Sequence, residues 1–373
     1  MNIVWFNFKD LDHPQAGGAE VVNEELAARL AAAGHTVTFL VAGFPGGAPT
    51  TERRGFRVIR TGNRFSCYLA AGAYFRRHRA ELAADLVIDE CNTMPFFAGF
   101  YARTRTVLFF HMLCRRIWFY ELPQPFSTIG YLLEPLYLRL LNRGNHVITV
   151  SESTKKDLMR HGYTAGNISL ISEAIQLAPV ASLGSVPKFP EPTLLSHGSI
   201  RPMKRTLDQI KAFELAKAYI PNLRLIVSGD ATGAYGQQVL SYIKASPHAD
   251  SIKYAGRTTE AEKITLMRKC HALLVTSVKE GWGLVVTEAA SQGTPAVVYD
   301  VDGLRDSVRA GTTGLVTSAN TPAALAASVQ ELLGDPARYE RMRSAGWEWS
   351  KSLNFDQSYK DFAGALGIGQ NHQ

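Results

Sequence analysis

Glu280 and Glu288 stand eight positions apart in the stretch Thr276–Pro295, TSVKEGWGLVVTEAASQGTP. Gly281, Trp282 and Gly283 follow the first glutamate, and Leu284 begins the apolar run that leads to the second. Carboxylates do not bind phosphates, but each can accept two hydroxyl hydrogen bonds from a sugar diol. Two glycines let a ligand come close to the main chain. A helix opening near Leu284 offers free N–H groups and a positive dipole end to an anion. Hydroxyls at both ends with phosphate between describe a nucleotide sugar.

The elements needed for this are legible around it. His271–Ser277, HALLVTS, reads as a buried parallel strand. LVVTEAASQG reads as a helix closing at Gly293 before Pro295. A second cationic cluster lies in TLLSHGSIRPMKRTLDQIKAF, which reads as strand, loop and helix. Its loop carries Gly198, Arg201, Lys204 and Arg205.

The chain opens with βαβ rhythm: strand Asn2–Asn7, a polar loop, helix Ala19–Ala33, then strand VTFLVA. Gly17 and Gly18 precede that helix and could approach a phosphate or an acceptor hydroxyl. They are not part of a GxGxxG, and no acid ends the second strand, which counts against a nicotinamide cofactor. DLVID (Asp85–Asp89) and TVLFF (Thr106–Phe110) read as buried strands, and His111 follows the second directly. Carboxyl ends of strands are where open α/β sheets collect ligands. Past it, MLCRRIWFYELPQPFSTIGYLLEPLYLRLL is expected to form helices and a loop lining an acceptor side. Arg115 and Arg116 there are candidates for a phosphate on the acceptor.

The 373 residues suit two domains, and the composition is globular, with a net charge of +7. Four scattered cysteines without a CxxC pair favour a reducing cytoplasm over a zinc site or disulfide framework. The strand at the N-terminus leaves no room for a signal peptide, and no apolar run reaches the ~18 residues of a spanning helix. Residues 51–80 carry eight arginines against Glu52. Arg53, Arg54, Arg76, Arg77 and Arg79, interleaved with aromatics, read either as a solvated helix face with a basic loop or as a contact for an anionic membrane at its inner face. A nucleic-acid partner is disfavoured, since no recognition motif accompanies the charge.

The run EGWGLVVTE (Glu280–Glu288) resembles the E-G-F-G-x-x-x-x-E signature of glycosyltransferase family 4, and the likeness continues from Gly293 to Val316. The resemblance implies an α/β GT-B fold: two doubly wound Rossmann-like domains facing across a cleft. Residues 1–182 would bind the acceptor and 193–351 the nucleotide sugar. Leu183–Pro192 would link them, and a helix over 352–368 would return to the first domain. It implies retaining, metal-independent transfer from a UDP-, GDP- or ADP-sugar, with no cofactor.

The resemblance also implies roles. Glu280 would orient sugar hydroxyls and Glu288 the ribose. The turn holding Arg257 and Thr258 would cradle the base, Gly17 and Gly18 would line the cleft, and His111 would reach the reacting sugar. In the family pattern G-R-x-x-x-x-K-G, Lys204 falls on the lysine, whereas Ser199 replaces the arginine and Arg205 the second glycine. Arg201 or Arg205 would supply the missing charge. VSESTKKDL (Val150–Leu158) matches V-S-x-x-x-K-x-D-L, but SEAIQ (Ser172–Gln176) departs from the usual I-x-N-G-I-D. Two alternatives stand beside this: a non-catalytic sugar-nucleotide-binding protein, and a sugar-nucleotide epimerase.

Overall fold

The computed structural model describes residues 1–185 and 187–368. They form two compact units, each built on a mainly parallel sheet. The first sheet contains β1 (Asn2–Phe6), β2 (Thr36–Ala42), β3 (Thr50–Arg53), β4 (Phe56–Thr61), β5 (Leu86–Cys91), β6 (Arg105–Phe110), β7 (Val147–Thr149) and β8 (Ile168–Leu170), ordered β3-β4-β2-β1-β5-β6-β7-β8. Only β3 runs antiparallel. The second contains β9 (Thr193–His197), β10 (Arg224–Ser228), β11 (Ile252–Gly256), β12 (Ala272–Val275), β13 (Ala296–Val298) and β14 (Gly314–Val316), ordered β11-β10-β9-β12-β13-β14 and wholly parallel. In both, strand order reverses beside the first strand, as in a doubly wound sheet.

These sheets form because their strands are apolar on both faces, as a sheet covered by helices on each side requires. All six residues of β5 are buried, as are the last five of β6. Trp5 packs on Phe39, Phe109 and Phe362, so helix Phe355–Ala365 closes the first core.

The second unit runs from Ile175 to Asn354 and also takes in Phe119–Ser127; residues 355–368 join the first. The proline-rich segment expected as a boundary, Leu183–Pro192, thus lies inside the second unit. Lys188 ties it down by donating to the carbonyls of Cys270 and Gly293, 2.8 Å each. Trp347 donates its indole N–H to Val180 O at 2.8 Å.

Part of the arginine-rich segment is engaged within the protein, while Arg64, Arg76 and Arg77 are exposed. Arg53 pairs with Glu24 and Asp12, Arg54 with Glu25, and Arg57 with Glu81. Arg60 is buried against Asp10 and Asp12. Arg79 donates to the carbonyls of Tyr101 and Ala102, and Arg76 lies 4.7 Å over the Tyr101 ring. Most of the neutralising acids come from residues 10–25, outside the span over which local charge was counted.

Candidate functional site

In the second unit the motif is strand, turn and helix. After β12 the chain turns through Thr276–Gly283 into helix Leu284–Ser291. Gly283 caps that helix with φ +102°, a left-handed conformation that suits glycine. A Cβ there would also meet Leu304 Cδ2 at 2.9 Å. The turn is buttressed from behind. Glu280 N–H donates to Asp302 O at 3.0 Å, and Gly303, φ +81°, lies against the Glu280 carbonyl.

Glu280 does not stand alone. Its Oε1 accepts from Ser277 Oγ at 2.5 Å and pairs with the Lys204 ammonium. The loop that brings Lys204 there is fixed by Thr276, whose hydroxyl contacts the carbonyls of Lys204 and Arg205 at 2.8 and 3.1 Å. Gln209 donates to the same hydroxyl at 2.9 Å. Arg205 occupies a left-handed position, φ +50°, at the start of helix Thr206–Lys217. Its guanidinium reaches Tyr120 Oη at 3.4 Å. Arg201 is exposed and ion-paired with Glu121 at 3.2 Å. Of the two arginines left open for the missing charge, Arg201 is therefore balanced by a carboxylate, whereas Arg205 meets a phenol and, among the described residues, no carboxylate. Ser199 is exposed at the mouth of a small pocket shared with Gly198, Lys204, Ser277 and Val285.

Glu288 is paired too, by a residue that sequence reasoning missed. Lys263 lies 3.2 Å from Glu288 and 3.0 Å from Glu260. Burial pushes the Glu288 carboxyl above its ordinary range, and Lys263 pulls it partly back. Lys263 sits on helix Glu260–Lys269, whose start is fixed by Thr259 and Glu262 in a reciprocal cap. Arg257 and Thr258 form the turn between β11 and that cap, with Arg257 exposed. The Trp282 indole N–H is buried without a hydrogen-bond partner, beside the Trp349 ring at 6.3 Å.

The first unit carries a separate polar cluster. Gly17 and Gly18 are exposed at the start of helix Gly18–Ala32, and Gly17 N–H donates to the Glu20 carboxylate at 2.6 Å. His111 follows β6 and is buried. Its Nε2 lies 3.2 Å from Asn23 Oδ1 and 3.7 Å from Glu90 Oε1. Asn23 and Trp5 both donate to Glu90 Oε2, at 2.6 and 3.1 Å. Because the Asn23 amide nitrogen faces Glu90, its oxygen faces the ring. His111 Nε2 then carries the proton, and Nδ1 is left as an acceptor. Sequence reasoning missed Asn23 and Glu90. The one available signal was an acid inside the apolar strand LVIDEC.

Arg115, an acceptor-side candidate, already has partners within its own unit. Its guanidinium lies 4.4 Å over Tyr131 and 3.6 Å from Glu134, so it braces its own loop. Arg116 remains exposed. Among the described residues, no three His, Cys, Asp or Glu side chains converge to hold a metal.

Burial sets the titration of this cluster. It pushes Glu90 up to about 8 and His111 down to about 4, from ordinary values of 4.5 and 6.5. Between 6.5 and 8 the native chain holds a proton on Glu90 that the unfolded chain has released, so stability falls as pH rises. His111 acts oppositely, losing stability as pH falls from 6.5 towards 4. Glu90→Gln is expected to flatten the decline on the alkaline side, by up to about 1.4 kcal/mol per pH unit. Melting curves across that range test it; parallel profiles for variant and parent would refute it.

Two family models match the chain: Glycosyltransferase Family 4 over residues 16–178, and Glycosyl transferases group 1 over residues 185–349. The chain carries these two glycosyltransferase domains one after the other. Its sheets are those of the GT-B fold. Sucrose-phosphate synthase from Thermosynechococcus elongatus superposes with a TM-score of 0.80, at 22% identity and 98% coverage of both chains. The Anabaena protein HepE, solved with UDP-glucose, superposes with a TM-score of 0.73, at 18% identity, covering 98% of this chain and 99% of that one. A glycogen synthase of Mycobacterium tuberculosis is 28% identical over 209 residues, 55% of this chain and 50% of that protein. The chain spans about half the length of the curated relatives it matches.

Proposed function

We propose that this protein transfers a sugar, with retention and without a metal, from a nucleoside-diphosphate sugar to a glycan or lipid-linked acceptor in the cytoplasm. The observation that carries this is the Gly283-capped helix start, with the Lys204–Glu280 pair on the turn before it. A diphosphate placed against the N–H groups after Gly283 meets the dipole end and Lys204 together. Glu280 takes sugar hydroxyls on one side, and Glu288 takes the ribose on the other. Arg205 is the second cation. The glycosidic bond to phosphate breaks as the acceptor oxygen bonds the anomeric carbon from the same face. The acceptor proton passes to the departing phosphate oxygen. His111, neutral near pH 7 because burial pushes it down to about 4, offers Nδ1 as an acceptor to a sugar hydroxyl.

A thermal-shift panel of UDP-, GDP- and ADP-sugars, followed by a donor-hydrolysis assay, tests the reading. Activity is expected to survive EDTA; its abolition would overturn metal independence. Glu288→Ala should raise the donor KM by about tenfold or more through loss of charged hydrogen bonds, with kcat little changed. His111→Ala should instead lower kcat. Equal, small effects from both would count against these roles.

One observation favours a non-catalytic nucleotide-sugar binder. Where the family pattern has asparagine and glycine, Glu173 is buried, pushed up to about 8 by burial, with Oε2 unpartnered. Hydrolysis of the donor in the absence of acceptor separates the two readings.

A further inference from the structure

The stretch after His111 was expected to form helices and a loop lining an acceptor side. Trp118 is buried, but Phe119 is exposed. The larger departure lies in helix Phe126–Leu141, FSTIGYLLEPLYLRLL. Ile129, Leu132, Leu133, Leu136 and Leu140 are between 47 and 61% exposed. At 3.6 residues per turn these positions fall on roughly one third of the helix circumference, so they form one stripe. Single exposed leucines are ordinary on a protein surface; a continuous row of five is not.

The stripe cannot turn inward, because the opposite face is anchored. Glu134 is buried there, and its carboxylate accepts from Cys114 N–H at 2.8 Å, Arg115 N–H at 2.6 Å and the Trp118 indole at 3.0 Å. Tyr137 Oη donates to Thr93 O at 2.9 Å. Gly130 lies so close to the Trp118 ring that a Cβ would come within 2.5 Å. Rotating the leucines into the core would strip Glu134 of three donors and leave a buried carboxylate unsatisfied.

The charges around the stripe indicate what covers it. Glu134 is the only acid in the helix, and it points inward. Arg139 and Arg143 are exposed at the C-terminal end, and neither forms an ion pair among the described residues. Arg143 lies 4.7 Å over the ring of Phe100, itself exposed, so the apolar surface continues beyond the helix with a cation on it. An apolar face rimmed by arginine and free of acid complements an anionic lipid surface. Among the described residues no helix is long and apolar enough to cross a membrane, so this one would lie in the interface plane.

We propose that the outer face of helix Phe126–Leu141 docks this protein on an anionic lipid bilayer, with Ile129, Leu132, Leu133, Leu136 and Leu140 entering the acyl boundary and Arg139 and Arg143 meeting the headgroups. This assigns membrane contact to a different segment from the arginine-rich one. It does not depend on the reaction, since binding is read without donor or acceptor.

The test is flotation of the full chain with phosphatidylcholine vesicles, with and without phosphatidylglycerol. The parent should float with the anionic vesicles, less so at high salt. Combined Leu132→Gln, Leu136→Gln and Leu140→Gln should reduce the bound fraction about tenfold or more, because binding scales with buried apolar area. These side chains are exposed, so the melting temperature should hold. As a second readout, Leu136→Trp fluorescence should be quenched by brominated lipid. Failure of the parent to float, or unchanged flotation of the triple variant, overturns the proposal. So does a parent dimer that the triple variant converts to monomer, since the occupant would then be a second copy.

Discussion

Lys204→Met is expected to lower kcat/KM for the donor by about two to three orders of magnitude, the usual cost of losing a placed cation or donor at a developing negative charge. Two consequences combine. The departing diphosphate loses its cation, and Glu280 loses the ammonium that holds it beside Ser277. An uncompensated carboxylate would then face the phosphates at the helix start. Lys204→Arg tests the placement of the charge: with the loop pinned by Thr276, a longer, planar group should restore only part of the rate. A variant within a few-fold of the parent would show that no diphosphate rests at this lysine. Donor binding and single-turnover rate, measured separately, show which step fails.

Gly303→Ala should act on the same site from behind. Gly303 has φ +81°, and a Cβ on it would meet the Glu280 carbonyl oxygen at 2.2 Å and the carbonyl carbon at 2.5 Å. Both are backbone atoms, so the turn carrying Glu280 must move. A displacement of about 1 Å can cost a hundredfold in rate, and a loss of that order is expected. Gly311→Ala is the control. Gly311 has φ +75° but nothing within 4 Å of its Cβ position. It should show only the backbone strain, roughly 1–2 kcal/mol, with activity kept. If both variants lose activity equally, the contact with Glu280 is not what positions the site.

The sheets were legible because burial on both faces leaves an unmistakable residue pattern. LVIDEC and RTVLFF are strands for that reason. The helix at Leu284 was legible because Gly283 and the apolar run after it mark a start. What could not be read were partners brought together by folding. Lys263 looked like an ordinary lysine on a surface helix, and only the tertiary approach of that helix to Glu288 gives it a role. Asn23 and Glu90 are 67 positions apart and meet across adjacent elements. The arginines after residue 50 looked unopposed because their acids lie earlier in the chain. Helix Phe126–Leu141 misled in the other sense. Its composition is that of a core helix, but one buried glutamate decides which side faces in.

Lys204 and Lys263 both rest on carboxylates, those of Glu280 and Glu288. An incoming nucleotide sugar therefore exchanges partners instead of seizing bare charge. On the proposed reading, each hydroxyl accepted by Glu280 or Glu288 would loosen a lysine at the moment a phosphate needs it. Recognition of the two ends of the ligand is thereby linked to recognition of its middle. A molecule offering phosphate alone, or hydroxyls alone, would disturb these pairs without completing the exchange.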